Sequence, residues 1–166
     1  MKAIVTVDSR NAIGYKNNLL IKIPEQMEWF KELTHDKIIL MGKNTFLSVY
    51  DQNPLDGRIN IVLSSSLKND ENYDNLIICQ NIDHFIHYMS RFVYVVGGES
   101  VYRQLLPYCD ELYLTRIFHT FPEADSYFPP IDQYFELVEK SENKIYNGYN
   151  YRLERYINRY IVNSII

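Results

Sequence analysis

The segment VYVVGGESVYRQLL (Val93–Leu106) joins an apolar, β-branched run to a helical pattern through two adjacent glycines. The run before Gly97 is too short and too uniformly apolar for a surface helix and reads as a buried strand. The segment after Gly98 places Val101, Tyr102 and Leu105 on one helical stripe. A strand that passes directly into a helix is the beginning of a crossover, and crossovers build parallel sheets. Adjacent glycines at such a junction let a ligand approach where a Cβ would collide, although glycine at a strand end is more often ordinary turn chemistry.

The same grammar repeats on both sides. KAIVTV (2–7), KIILMG (37–42), INIVLSS (59–65) and NLIIC (75–79) read as buried strands. PEQMEWFKELT (24–34), TFLSVY (45–50), NIDHFIHYMS (81–90) and GESVYRQLLPYC (98–109) read as helices. ELYLTRIFH (111–119), YFELVEKSE (134–142) and NYRLERYIN (150–158) have little helical signal between them, so an antiparallel edge hairpin is expected to complete the sheet. The long segment DSRNAIGYKNNLLIKIP (8–24), rich in Asn, leaves the first strand as a loop of the length that often serves as a lid.

At 166 residues and 46% hydrophobic content the chain is sized for one α/β domain with a full core. A net charge of -4 gives no reason to expect a nucleic-acid partner. No apolar run approaches a bilayer span and the first residues carry no signal-peptide pattern, so no membrane association and a cytoplasmic setting are expected. Cys79 and Cys109 lie far apart, outside any ligand cluster, so free buried thiols and no metal site are expected. No repeat or linker appears.

Two further strand ends carry ligand signals. In LMGKNTFLSV (40–49) a helix starts beside Lys43, Asn44 and Thr45, a combination suited to phosphate. LSSS (63–66) adds hydroxyls at what would be the same carboxyl edge, where α/β ligands bind. Three such edges in order favour a nucleotide cleft.

With AIGYKNNL (12–19), MGKNTFLSV (41–49), PLDGRINIVLSS (54–65), VVGGESVYRQLLP (95–107), LYLTRI (112–117) and ADSYFP (124–129) in this order, the chain closely resembles dihydrofolate reductases over nearly its whole length. The resemblance implies a single domain over residues 1–158, with 159–166 as a C-terminal extension. It also implies a central, mostly parallel, eight-stranded mixed sheet with a C-terminal antiparallel edge hairpin and four flanking helices. It implies NADPH as cofactor, dihydrofolate as small-molecule substrate, and a monomer.

Position by position, the resemblance puts Lys43, Asn44 and Thr45 in the cofactor's phosphate turn, with lysine where the family usually has arginine. Lysine supplies charge without the planar fork. Ser64 and Ser65 fall in the second part of the adenosine-phosphate site, and Gly97-Gly98 match a pair that the family joins by a cis peptide. Thr6 and Ile13 fall beside the nicotinamide, where Thr6 replaces a customary alanine. Gly14, Leu19, Gly42, Leu63, Val96, Ser100, Val101 and Tyr102 complete the expected cofactor contacts. Ile4, Val5, Phe30, Val49, Leu55 and Val96 are implied as walls of the substrate pocket and Arg58 as the partner of the substrate's α-carboxylate. Thr115 is implied to join the substrate through the acid position and water, and Tyr102 to be part of the catalytic set.

The pattern breaks before the first helix. Where the family carries proline and tryptophan, and then an acid two residues after a second proline, this chain has Leu20, Ile21, Pro24 and Gln26. At about 100° per residue, Gln26 shares a stripe with Phe30 and Leu33, whereas Glu25 points a quarter-turn away and is expected to be a solvent-facing first-turn carboxylate. An amide is thus expected at the catalytic acid's place. Another carboxylate, for instance Glu123 or Asp8, could be brought in by a loop instead. A reductase of another pteridine or pyrimidine, and a noncatalytic NADPH- or folate-binding protein, fit the nucleotide motifs as well.

Overall fold

A computed structural model of the protein describes residues 1–83 and 91–162. The strands among the described residues are β1 (Lys2–Val7), β2 (Ala12–Tyr15), β3 (Asn18–Leu19), β4 (Ile38–Gly42), β5 (Ile59–Leu63), β6 (Leu76–Cys79), β7 (Val93–Gly97), β8 (Glu111–Ile117), β9 (Ser126–Tyr127), β10 (Phe135–Lys140), β11 (Lys144–Tyr146) and β12 (Tyr149–Asn158). The helices among the described residues are α1 (Pro24–Thr34), α2 (Lys43–Ser48), α3 (Glu99–Leu105), which runs into a 3-10 turn at Leu106–Tyr108, and α4 (Arg159–Val162). The helix expected over NIDHFIHYMS lies almost wholly outside the described residues, as does the end of the C-terminal extension beyond residue 162.

The main sheet runs β10-β12-β8-β1-β7-β4-β5-β6. Its six strands from β8 to β6 are parallel, as the direct strand-to-helix junctions require. The antiparallel part differs slightly from the expected edge hairpin. The C-terminal strand β12 is interior, pairing with β8 on one side and β10 on the other, and β11 adds a ninth strand through the turn back into β12.

Alternation along the strands sends side chains to two covered faces. Ala3, Val5, Ile38, Leu40 and Val95 pack with Val101, Tyr102 and Leu105 of α3. Ile4, Ile39, Met41 and Val62 pack with Trp29, Phe30 and Leu33 of α1 and with Phe46 of α2. The helices are thereby seated over the sheet with α2 and α3 starting at the carboxyl ends of β4 and β7.

The segment from Asp8 to Pro24 is more ordered than a plain loop. β2 and β3 form a hairpin, and β9 joins them in a second, three-stranded sheet. Lys16 and Asn17 both have positive φ, the backbone that a two-residue hairpin turn demands and that Asn tolerates. Gly14 is required by space, since a Cβ there would lie 2.8 Å from the Asn18 carbonyl oxygen. Asp8 fixes the exit from β1: Oδ1 accepts from the Arg10 and Ala12 N–H groups and Oδ2 from that of Phe121.

Candidate active site

The carboxyl ends of β4, β5 and β7, the middle of β1, the first turn of α1 and the β2–β3 hairpin enclose a cleft of about 1230 Å³. Of the cofactor, substrate and catalytic residues that the resemblance implies, all but Thr115 line it.

At one end stand Lys43, Asn44, Thr45, Ser64 and Ser65, joined by Gln80, Asn81 and Ile82, which sequence reading did not single out. Lys43 Nζ donates to Ser66 Oγ at 2.7 Å, and Ser64 Oγ accepts from the N–H groups of Ser66 and Leu67. Ser66 therefore steers the lysine, while Ser64 shapes the turn that presents Ser65. The glycines allow three junctions to close tightly. A Cβ on Gly42 would come within 3.0 Å of Val101 Cγ2, and one on Gly98 within 3.3 Å of Thr45 Oγ1. Gly97 has φ +117, with the Tyr102 ring beneath it, and the Gly97-Gly98 peptide is cis.

The other end is an apolar slot formed by Ile4, Val5, Phe30, Val49, Leu55 and Val96 and by Met27 and Tyr50, which the sequence did not reveal. Burial pushes the Tyr50 phenol up to about 12, so it stays neutral. Arg58 closes this end. Its Nε donates to Thr34 Oγ1 (2.8 Å), Nη1 to the Asp56 carbonyl (2.6 Å) and Nη2 to the Lys31 carbonyl (3.3 Å). Buried Asn60 holds the segment that carries Leu55 and Arg58: Oδ1 accepts from the Leu55 N–H, and Nδ2 donates to the Leu55 and Arg58 carbonyls.

Gln26 faces the cleft, and its amide makes no hydrogen bond among the described residues. Glu25, expected as a solvent-facing first-turn carboxylate, lies off the cleft with its side chain 40% exposed, but it is not without partners. It pairs with Lys144 and accepts from the Tyr151 hydroxyl at 2.6 Å, so α1 is tied to β11 and β12. Hydrogen bonds from Lys144 and Tyr151 hold the Glu25 carboxyl below its ordinary range. Leu20 and Ile21 pack with Ile23, Ile117, Phe121 and Tyr151 and turn away from the cleft, which Lys22 lines instead.

Thr115, implied to reach the substrate through the acid position and water, is not itself among the residues that line the cleft. It sits in β8, 1% exposed, and its hydroxyl has no hydrogen-bond partner among the described residues. Tyr102 lines the cleft, but its hydroxyl donates to the Ile4 carbonyl at 2.6 Å. Burial raises its pKa well above 10, so it anchors β1 rather than offering a proton. Neither alternative carboxylate reaches the cleft. Asp8 is buried and fully engaged with backbone, and Glu123 is exposed elsewhere. The charged residues on the wall are Lys22, Lys31, Lys43, Arg58 and Arg103 against Glu28 and Glu99, a balance suited to an anionic ligand.

No His, Cys, Asp or Glu cluster able to hold a metal occurs among the described residues, and none of their helices is long and apolar enough to cross a membrane. Both cysteines are free, though only Cys109 is fully buried and Cys79 is half-buried.

Residues 1–158 match the dihydrofolate reductase family model. The dihydrofolate reductase of Bacillus subtilis is 32% identical over 158 residues, covering 92% of this chain and 91% of that protein. That of Buchnera aphidicola is 33% identical, covering 91% and 94%. A solved dihydrofolate reductase from Enterococcus faecalis, complexed with NADP(H) and RAB-propyl, superposes with a TM-score of 0.82 at 29% identity, covering 95% of each chain. The match in sequence and the shared architecture agree: the chain belongs to the dihydrofolate reductase family of NADPH-dependent oxidoreductases.

Proposed function

We propose that this protein reduces 7,8-dihydrofolate to 5,6,7,8-tetrahydrofolate with NADPH, using an uncharged amide where the family uses a carboxylate. The observation that carries this reading is one continuous cleft with a lysine and serine hydroxyls at one end and an apolar slot closed by Arg58 at the other. The residues present fit NADPH. Lys43 and Ser65 would hold the 2′-phosphate, the Gly97-Gly98 backbone would admit the cofactor closely, and Thr6 and Ile13 would flank its nicotinamide. The cofactor, when bound, supplies the hydride.

The remaining work falls to the chain. The apolar slot orients a flat heterocycle and excludes water from its faces. Arg58 has five N–H donors, three of them engaged, so one on each terminal nitrogen remains to meet a carboxylate. A pterin presents a ring N–H and an exocyclic amine to the Gln26 position. The amide offers one acceptor and one donor-bearing group, so one of those two contacts is weakened. An amide also adds no negative charge to raise the basicity of the ring nitrogen that must take up a proton. The expected enzyme binds its substrate and turns over slowly. A cytoplasmic monomer is the proposed setting, in keeping with two free thiols.

Following NADPH oxidation with dihydrofolate, for the native protein and for Gln26→Asp, tests this. Slow native turnover that rises in the variant is expected. Turnover only after substitution would identify a binding protein whose chemistry has lapsed, and none in either would point to another heterocycle as substrate.

A further inference from the structure

The lid hairpin is held by β9, which pairs with β2 on one edge: Ala12 faces Tyr127 and Gly14 faces Ser126. Asp125 strengthens this edge, its N–H donating to the Gly14 carbonyl and its Oδ2 accepting from the Lys16 N–H, both at 3.0 Å. The Tyr127 N–H is directed elsewhere. It donates to Glu99 Oε2 at 2.9 Å, across 28 residues of sequence, from the first residue of α3. Arg103 places both Nε and Nη2 on the other carboxylate oxygen, Oε1, at 3.1 and 2.8 Å, which leaves Oε2 turned toward β9. The backbone bond from Tyr127 is the foremost reason that the Glu99 carboxyl titrates below its ordinary range.

A short strand with an unpaired N–H has a donor to satisfy, and an ionised carboxylate is the strongest acceptor a side chain provides. Glu99, Ser126 and Gly14 all line the cleft. The bond thus crosses between the helix that follows the Gly97-Gly98 pair and the sheet that carries the lid. We propose that Glu99 is a positioning residue, a latch that joins α3 to the lid sheet so that residues 12–19 keep their place over the cofactor side of the cleft. The inference depends on NADPH as cofactor and is independent of which heterocycle is reduced.

Amide hydrogen exchange of the full chain, with and without NADPH, together with the NADPH dissociation rate, tests it. In Glu99→Ala the amides of Tyr127 and of residues 12–19 exchange about ten- to a hundredfold faster, the factor expected for loss of a charge-assisted bond. NADPH leaves several-fold faster. Glu99→Gln keeps a neutral acceptor for Tyr127 and gives lid exchange between wild type and Glu99→Ala, and Arg103→Met, which removes only the partner that turns Oε2 toward β9, accelerates it less than Glu99→Ala. Glu99→Asp keeps the charge but withdraws it by one methylene, and lid exchange accelerates without a change in thermal unfolding. Lid exchange within twofold of wild type in both Glu99→Ala and Glu99→Asp overturns the latch. An Arg103→Met variant that reproduces Glu99→Ala also overturns it, since Glu99 would then serve only as a helix-surface partner.

Discussion

On the proposed function, removing Arg58 should separate recognition of the substrate's tail from recognition of its ring. Its side chain is anchored through Thr34 Oγ1 and two backbone carbonyls, and the two remaining terminal N–H groups form a fork. Hydrogen bonds that involve charged groups contribute about 1.5–3 kcal/mol each, and Arg58 is half-exposed, so the pair is expected near the lower end, about 2–4 kcal/mol in all. Arg58→Leu should therefore lower kcat/KM for dihydrofolate by roughly 30- to 1000-fold. The fold should survive, because Thr34 Oγ1 still donates to the Phe30 carbonyl at 2.8 Å. Arg58→Lys, which keeps charge without the fork, should fall between. The assay compares dihydrofolate with a dihydropterin that lacks the benzoylglutamate, for which the loss should be absent. Equal losses on both substrates, or none on either, would refute the assignment of Arg58 to the tail carboxylate.

Three other outcomes follow from the same structure. Glu25 is depressed by Lys144 and Tyr151, so its contribution to stability is complete above the unfolded-state value near 4.3 and is lost as pH falls through the lower folded-state value. The gap in thermal unfolding midpoint between wild type and Lys144→Met should be constant above about pH 5 and close in strong acid. Burial holds the Cys109 thiol up at about 12, whereas Cys79 is half-buried, so a thiol reagent at pH 8 should titrate one cysteine in the native protein and two after denaturation. Gly14→Ala forces a Cβ to 2.8 Å from the Asn18 oxygen and should cost about 1–3 kcal/mol in lid order, seen as faster amide exchange across residues 12–19 with little change in the core.

The parallel half of the sheet was legible because each strand is an apolar run ending in a turn residue, and because α2 and α3 start directly at the ends of β4 and β7. The cleft residues on those ends were legible for the same reason: Lys43 and Gly98 sit where periodicity changes from strand to helix, and Ser64 sits where the apolar run of β5 ends. Gln26 could be aimed inward from its spacing to Phe30. Its neighbour could not be read as far, because the partners of Glu25, Lys144 and Tyr151, lie more than a hundred residues away on strands whose register a helical wheel does not contain. The same limit hid Glu99, whose partner is a backbone N–H in β9. Asn60 carried a local signal, a polar amide inside the apolar run INIVL, and such a residue in a buried strand calls for partners. The lid hairpin was missed for want of apolar alternation. Its turn is specified by Lys16 and Asn17 in left-handed backbone, and Lys-Asn is a weaker signal than Asn-Gly.

An uncharged group at the Gln26 position is tested most directly by a 2,4-diaminopyrimidine, which is cationic when it meets a carboxylate. Its dissociation constant should be measured by titration calorimetry for wild type and Gln26→Asp, in buffers of differing ionisation enthalpy so that proton uptake is read at once. The amide predicts weak wild-type binding of the neutral ligand without proton uptake, and binding at least tenfold tighter with proton uptake in Gln26→Asp, from two contacts that become charge-assisted. Tight binding with proton uptake by the wild-type protein would contradict it, for some other carboxylate would then be meeting the ligand's amidine edge.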